Sequence, residues 1–324
     1  MTLPAEWVHE QGIEKGEEVI IQRDENSGSL LLMPETPNEE EHAVTISVDD
    51  MSADSLERAI LAQYVLGRQI ITLESETRID SAHFDVILDV EQRLIGLGVV
   101  EETQQQVTIR CSVAPGDFEL PQLLERLGRT ESSMRSDAFL AFLDGDSDRA
   151  QRAAQRERRI DKLFSLFLRL VFTTYRNPRL NQSVGLETGF PLIGYRSVAW
   201  NLVLMADTAR YTAELASDAD GKAISGQSRN RLRSGIEAID HAVQTSLAAA
   251  IDPTHDAIER AEDALDSARA ECAAIREFID TDHPTCAVAL DRAVIYLLQI
   301  GMYATGTLDV ATHLVFRQRS EGSS

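Results

Sequence analysis

Residues 149–176 read RAQRAAQRERRIDKLFSLFLRLVFTTYR, and this stretch decides the fold class of the C-terminal two thirds of the chain. Its seam positions recur at alternating steps of four and three, which is typical of an α-helix with one face packed against neighbours. A similar period continues from Leu120 to about residue 318, without a strand pattern. The sequence therefore predicts a helical bundle in this region.

Six helices are predicted in the bundle, at about 119–143, 147–175, 191–216, 226–250, 253–280 and 285–318. Asp146, Asp252 and Asp282 stand where a helix-starting residue is expected. The helices form two successive sets of three with the same order of features, which indicates an internal duplication. We predict two three-helix repeats, 117–218 and 219–320.

The first 116 residues have a different pattern. Residues 43–116 alternate strands with helices capped by Ser52 and Asp80, and the order βαβαββ predicts a small mixed sheet with helices packed on it. Residues 1–42 contain a helical turn, two short strands at 19–23 and 29–33, and an acidic linker. Two strands cannot bury a core alone, so this module is expected to dimerise or to pack on a neighbour. The fold class is mainly α with an α+β N-terminal part.

The charge balance limits the possible functions. The chain has 324 residues with 53 acidic and 31 basic side chains, and its net charge of −22 excludes a generally basic nucleic-acid-binding surface. Only Lys15, Lys162 and Lys222 are lysines. An acidic surface that is poor in lysine is typical of halophilic proteins, in which salt screens the self-repulsion.

Signals for export, membrane insertion and cysteine-based metal sites are weak. Cys111, Cys272 and Cys286 have no metal-ligand spacing, and the N-terminus has no basic and apolar leader. The apolar stretch 293–316 is long enough to cross a bilayer, but polar residues interrupt it. We expect a buried bundle helix there, a cytoplasmic protein and no membrane insertion.

A cationic segment stands out against the acidic background. Nine cations and two acids lie between Arg149 and Arg179, which gives +7. The candidate docking residues are Arg149, Arg152, Arg156, Arg158, Arg159 and Lys162. They indicate a surface for an acidic partner or a phosphate-bearing ligand, or else pairing within the chain with the acidic fifth helix.

Carboxylates at predicted seam positions form a second set of candidates. Glu157 and Asp161 continue the seam of the second helix, while Asp207 shares a stripe with Trp200 and Tyr211. The full set of candidate metal ligands is Glu157, Asp161, Asp207, Glu262, Asp266 and Asp309. Spacing of i,i+4 places two oxygen ligands on one helical face. The pattern is incomplete, so hydrated or arginine-paired carboxylates remain the alternative to a metal site.

Three strings carry a resemblance to known families. TLPAEWV at 2–8, GIEKGEEV at 12–19 and SLLLMP at 29–34 resemble the AbrB/SpoVT swapped-hairpin DNA-binding domain. The six helices, with ERRID at 157–161 on the second, resemble two PhoU repeats. LIGLGVVEE at 94–102 is similar to the segment that joins these units in archaeal PhoU-type regulators.

The resemblance implies a non-catalytic, cytoplasmic, homodimeric regulator of phosphate uptake. Its expected partners are phosphate-transporter or sensor components and DNA, and its expected cofactors are iron, zinc, magnesium or calcium ions. Lys15 and Arg23 are the candidate DNA contacts. However, the chain starts at the turn that follows the first strand of AbrB-like domains, so we expect an incomplete hairpin. The charge of −5 over residues 1–34 also opposes DNA binding. The alternatives are an adaptor without DNA binding and a metal-dependent helical-bundle enzyme.

Overall fold

The computed structural model describes residues 3–10, 13–23, 30–34, 43–177, 180, 182–186, 190–218, 224, 226–279 and 284–321. The chain divides into two compact units, residues 1–113 and 114–324. The first unit is α+β and the second is helical, so the predicted fold class is confirmed. The finer boundaries predicted after residues 42 and 218 stay predictions.

The N-terminal module contains one short helix and one hairpin. Helix α1 spans Ala5–Glu10, and strands β1 (Val19–Arg23) and β2 (Leu30–Pro34) pair antiparallel, with Ile21 opposite Leu32. The side chains of Ile21 and Leu30 are 53% and 54% exposed. The hairpin therefore leaves apolar surface uncovered, as expected for two strands without a second layer.

Residues 43–113 form a four-stranded mixed sheet with two helices. Its elements are β3 (Ala43–Ser47), α2 (Ala53–Val65), β4 (Ile70–Glu74), α3 (Ser81–Arg93), β5 (Leu97–Glu102) and β6 (Gln106–Cys111). The strand order is β3-β4-β6-β5, and only the β3–β4 pair is parallel. The predicted order βαβαββ is confirmed.

The two caps predicted in this unit are present. The Ser52 hydroxyl accepts a hydrogen bond from the Ser55 amide at 3.2 Å, and the Asp80 carboxylate accepts one from the His83 amide at 2.8 Å. Each bond satisfies an amide that the first helical turn leaves without a partner. Short polar side chains thus fix where α2 and α3 begin.

The second unit is a bundle of long helices. They are α4 (Leu120–Asp144), α5 (Ser147–Gln155), α6 (Glu157–Arg176), α7 (Phe190–Asp218), α8 (Gly226–Ile251), α9 (His255–Ile279) and α10 (Pro284–Glu321). Helix α4 packs mainly on α7, and α8 packs mainly on α9, while α10 contacts α7, α8 and α9. Among the described residues no strand follows residue 113, as predicted.

The predicted helix 147–175 is wrong as a single element, because the helix breaks at Arg156. The Arg156 amide donates to the Ala153 carbonyl at 3.0 Å, a tighter turn than an α-helix makes. The buried face runs from Ala150 and Ala153 on α5 through Ile160, Leu163 and Phe167 on α6. The predicted seam through Glu157, Asp161, Phe164 and Leu168 is therefore wrong, and Asp161 is exposed.

A buried ion network joins α4 to α8. Arg135 and Glu131 are 1% and 0% exposed and lie one turn apart on α4. The Arg135 guanidinium donates from Nε to Glu131 Oε1 and from Nη1 to Asp240 Oδ1, each at 2.8 Å. Burial raises the pKa of the Glu131 carboxyl, and Arg135 opposes that shift. The network therefore fixes how the first three-helix set packs on the second.

Glycine permits close packing on the other side of α8. Gly235 is buried, and a Cβ atom there would lie 2.6 Å from the Cδ1 atom of Ile275 on α9 and 3.6 Å from that of Leu297 on α10. Both neighbours are fully buried and have little room to move. The α8–α9–α10 contact therefore requires a residue without a side chain at position 235.

Candidate functional site

The arginine-rich segment lies on α5, on the break and on the first turns of α6. We call Arg149, Arg152, Arg156, Arg158, Arg159 and Lys162 the arginine face. The side chains of Arg152, Arg158 and Arg159 are exposed, and the other three are partly exposed. The predicted docking residues are thus accessible to a partner.

The acids that pair with the arginine face come from α4 and from the turn after it. Arg149 contacts Asp144 at 3.2 Å, and Arg156 donates to Asp137. Neither acid belongs to α9, although pairing with the acidic fifth predicted helix was the alternative expected from sequence. Within the described residues, Arg152, Arg158 and Arg159 have no acidic partner. The segment therefore keeps a net positive charge.

A groove opens between α4 and the α5–α6 break. It has a volume of about 340 Å³. We call it the arginine groove, and its lining residues are Arg126, Arg129, Thr130, Ser133, Arg156 and Arg159. The lining contains four guanidinium groups, two hydroxyl groups and no carboxylate. Guanidinium forks match the geometry of phosphate and carboxylate oxygens, so the chemistry of the lining suits an anion.

The α4 half of the groove was missed by sequence reasoning. Arg126, Arg129, Thr130 and Ser133 have the spacing i, i+3, i+4, i+7, which places them on one face of a helix. This spacing can be read from the sequence, but two arginines on one helix of an acidic chain do not by themselves indicate a binding site. Only the fold shows that this face lies opposite Arg156 and Arg159.

The predicted carboxylates on α6 and α7 meet an arginine instead of one another. Arg210 Nε lies 3.0 Å from Glu157 Oε1, and the same guanidinium also binds Glu214 and stacks over the Tyr211 ring at 4.2 Å. Burial raises the pKa of the Glu157 carboxyl, Arg210 opposes this shift, and the charges of Asp161 and Asp207 add to it. The arrangement is an acidic cluster with its own internal cation.

The pKa of the Asp207 carboxyl is shifted in the same direction as that of Glu157. Burial raises the pKa of its carboxyl and Arg210 opposes the shift. A carboxyl whose pKa is raised by folding holds its proton more tightly in the folded state than in the unfolded chain. Glu157 and Asp207 therefore reduce stability as the pH rises from their unfolded toward their folded pKa values.

The six predicted ligands do not form a metal site. Glu262, Asp266 and Asp309 are exposed, and Asp266 pairs with Arg269 at 2.8 Å. Within the described residues, no three His, Cys, Asp or Glu side chains converge well enough to hold a metal ion. Arg210 already pairs with Glu157 and Glu214 in the α6–α7 cluster, and the metal ions expected from sequence stay a prediction.

The stripe predicted on the third helix and an apolar face of α10 lie partly at the surface. Trp200 and Tyr211 on α7 are each 44% exposed, and Met302 and Phe316 on α10 are 72% and 57% exposed. Residues Ala287–Arg317 are long and apolar enough to cross a membrane by length and composition, with 33% of the most apolar window buried. These helices therefore combine a buried face with an exposed apolar one.

The candidate DNA contacts lie in the hairpin module. Lys15 is exposed in the turn before β1, beside the exposed acids Glu14 and Glu17. Arg23 ends β1, and its side chain lies outside the described residues. The described surface of this turn is thus not strongly basic.

Comparisons with known proteins agree with this architecture. Residues 124–216, which hold the arginine groove and the arginine face, match the PhoU domain family. The crystal structure of PhoU from Pseudomonas aeruginosa superposes with a TM-score of 0.53 at 17% identity, over 60% of this chain and 94% of that one. At this identity the likeness shows the fold alone, and the archaeal source expected from sequence stays a prediction.

The N-terminal resemblance is also supported. Residues 1–40 match the family described as antidote-toxin recognition MazE, bacterial antitoxin, in agreement with the AbrB-like resemblance of this module. No curated protein matches the chain. The order of domains therefore rests on the two family matches and on the fold.

Proposed function

We propose that this chain is a cytoplasmic regulator of phosphate uptake that acts by binding partners rather than by catalysis. The observation that carries the proposal is the PhoU domain match over 124–216, which includes the arginine groove and the arginine face. Complementary charge favours specific docking, and this segment is cationic in a chain of −22. The expected partners are phosphate-transporter or sensor components that present acidic side chains.

Reversing the charge of Arg152 and Arg158 tests this proposal. Both side chains are exposed and lie outside the groove, so Arg152→Glu combined with Arg158→Glu changes the docking charge by four units without opening a buried site. Phosphate uptake is measured in cells that lack the gene and carry either version, at high and low phosphate supply. We expect uptake in the variant cells to lose its dependence on supply, as in the deletion strain.

The control is Arg233→Glu, an exposed arginine on α8 outside the arginine face. It makes the same type of charge change and should leave regulation as in the wild type. If the double variant regulates uptake normally at equal protein level, docking through this face is wrong. If deletion of the gene leaves uptake unchanged, the role in phosphate uptake is wrong.

DNA binding by the N-terminal module is a second candidate function, favoured by the MazE family match at residues 1–40. The exposed apolar side chains of Ile21 and Leu30 suit a hairpin that pairs with a second copy, so we propose a homodimer. Light scattering of the purified chain gives its mass in solution. In such a complex Lys15 would contact the phosphate groups of the DNA. The net charge of −5 over residues 1–34 opposes this contact.

Lys15→Glu tests the DNA candidate in a gel shift with promoter DNA of phosphate-transport genes. If the module binds DNA, the substitution weakens binding and reduces its salt dependence, because one phosphate contact is lost. Arg233→Glu serves again as the control. Absence of a shift at low salt with the unmodified chain leaves the adaptor without DNA binding as the function.

A further inference from the structure

We propose that the arginine groove is a binding site for a hydrogen phosphate group. Three features of the lining support this site: the number of guanidinium groups, their incomplete neutralisation, and the engaged hydrogens of the two hydroxyl groups.

The charge of the groove suits a dianion. Of the four guanidinium groups, Arg129 pairs with Glu125 at 3.2 Å and Arg156 with Asp137. Arg126 and Arg159 have no acidic partner within the part of the chain that the structure describes. About two positive charges are thus left over, and phosphate at neutral pH carries −1.5 to −2, roughly the charge needed to balance them.

The hydroxyl groups add selectivity. Thr130 Oγ1 donates its hydrogen to the Arg126 carbonyl at 2.8 Å, and Ser133 Oγ donates to the Arg129 carbonyl at 2.9 Å. With their hydrogens engaged, both oxygens can only accept from a ligand. Hydrogen phosphate carries a proton that it can donate to such an oxygen, whereas sulfate does not. The groove therefore offers guanidinium donors together with two hydroxyl acceptors.

The size of the groove agrees with a small ligand. Its volume of about 340 Å³ is at the lower end of the range for small-molecule sites. Inorganic phosphate with its water molecules and the phosphate group of a small ester both meet this description. The two sources share one chemistry and are separated by the experiment.

A regulatory consequence follows if the proposed function holds. Arg156 and Arg159 belong both to the groove and to the arginine face, so bound phosphate neutralises part of the docking surface. An acidic partner then competes with phosphate for the same guanidinium groups. Docking would weaken as the phosphate concentration rises.

Calorimetric titration of the purified full chain tests the site directly. Inorganic phosphate, glycerol 3-phosphate and sulfate are titrated separately at constant ionic strength, which keeps screening equal. We expect saturable binding of inorganic phosphate to one site per chain, and weaker binding of sulfate. Binding of glycerol 3-phosphate as weak as that of sulfate identifies the protonated free ion as the ligand, and binding equal to that of inorganic phosphate contradicts the acceptor role of the hydroxyl groups.

Two variants and two controls locate the site. Arg126→Gln with Arg159→Gln removes the two unpaired guanidinium groups and should weaken phosphate binding at least tenfold. Thr130→Val with Ser133→Ala should keep anion binding but lose the preference for phosphate over sulfate. Arg158→Gln, beside Arg159 but outside the groove, and Arg233→Gln should bind as the wild type does.

Absence of saturable phosphate binding overturns the proposal, as does equal weakening by Arg158→Gln. These results are independent of the uptake experiment, which uses Arg152 and Arg158 and no groove residue. The site can therefore fail while the regulatory function holds, and the reverse is also true.

Discussion

Replacing Arg135 by methionine is expected to lower the free energy of unfolding of the helical unit by about 3–5 kcal/mol, the usual cost of removing one partner from a buried ion pair. Glu131, which is fully buried, then keeps a charge without its counter-ion. For a unit of this size the midpoint of thermal unfolding should fall by about 10 °C. Circular dichroism of the helices during urea and thermal unfolding measures both quantities.

The pH dependence separates this electrostatic cause from a loss of packing. Burial without Arg135 raises the pKa of Glu131 further, so the folded state of the variant binds a proton more tightly than the unfolded chain does. The destabilisation should then shrink as the pH falls from neutral through the raised pKa. A loss that stays constant with pH would contradict an uncompensated charge as its cause.

Two further variants serve as references for Arg135. Arg129→Met removes the same kind of side chain from an exposed pair with Glu125 and should cost no more than about 0.5 kcal/mol. Replacing Glu131 by leucine together with Arg135→Met should recover most of the stability, because no buried charge is left on α4. Equal losses in Arg129→Met and Arg135→Met would show that burial of the network is unimportant.

Replacing Gly235 by valine is expected to cost about 2–3 kcal/mol, because the added side chain overlaps Ile275 and approaches Leu297. Both neighbours are fully buried, so relief requires α8 to shift relative to α9 and α10. Valine is a better helix former than glycine, which offsets the loss by less than about 1 kcal/mol. Urea unfolding followed by circular dichroism measures the net effect.

Two comparisons identify the overlap as the cause. Ala248→Val places valine at an exposed position of the same helix and should cost only its helix propensity, about 0.5 kcal/mol. Combining Gly235→Val with Ile275→Ala makes room, so the two losses should not add. Simple additivity would mean that the two side chains do not meet.

Local chemistry explains what could be predicted from the sequence. Ser52 and Asp80 cap α2 and α3 because a short polar side chain can reach the free amides of its own helix start. The strands of the first unit and the long helices of the second follow from periods of two and 3.6 residues. In each case the residues that decide the structure lie within one or two turns of it.

The candidate site could not be predicted in full from the sequence, because it is formed by residues that are far apart along the chain. The predicted seam through Asp161 and Phe164 was one residue out of phase with the buried face at Ile160 and Leu163, so the carboxylates predicted in the core face Arg210 or the surface. The groove brings residues 126–133 opposite residues 156–159, which only helix packing determines. The buried Arg135–Asp240 contact likewise joins residues 105 positions apart.

The scarcity of lysine has a practical consequence. Only three residues carry a side-chain amine, and Lys162 is the one that stands on α6 beside Arg158 and Arg159. On the helical unit, reagents that couple to lysine amines thus have one other residue to react with, Lys222, whose replacement by arginine leaves Lys162 alone. A heterobifunctional cross-linker or a single fluorophore attached at Lys162 would capture or signal whatever molecule approaches that part of the bundle, without any engineered cysteine.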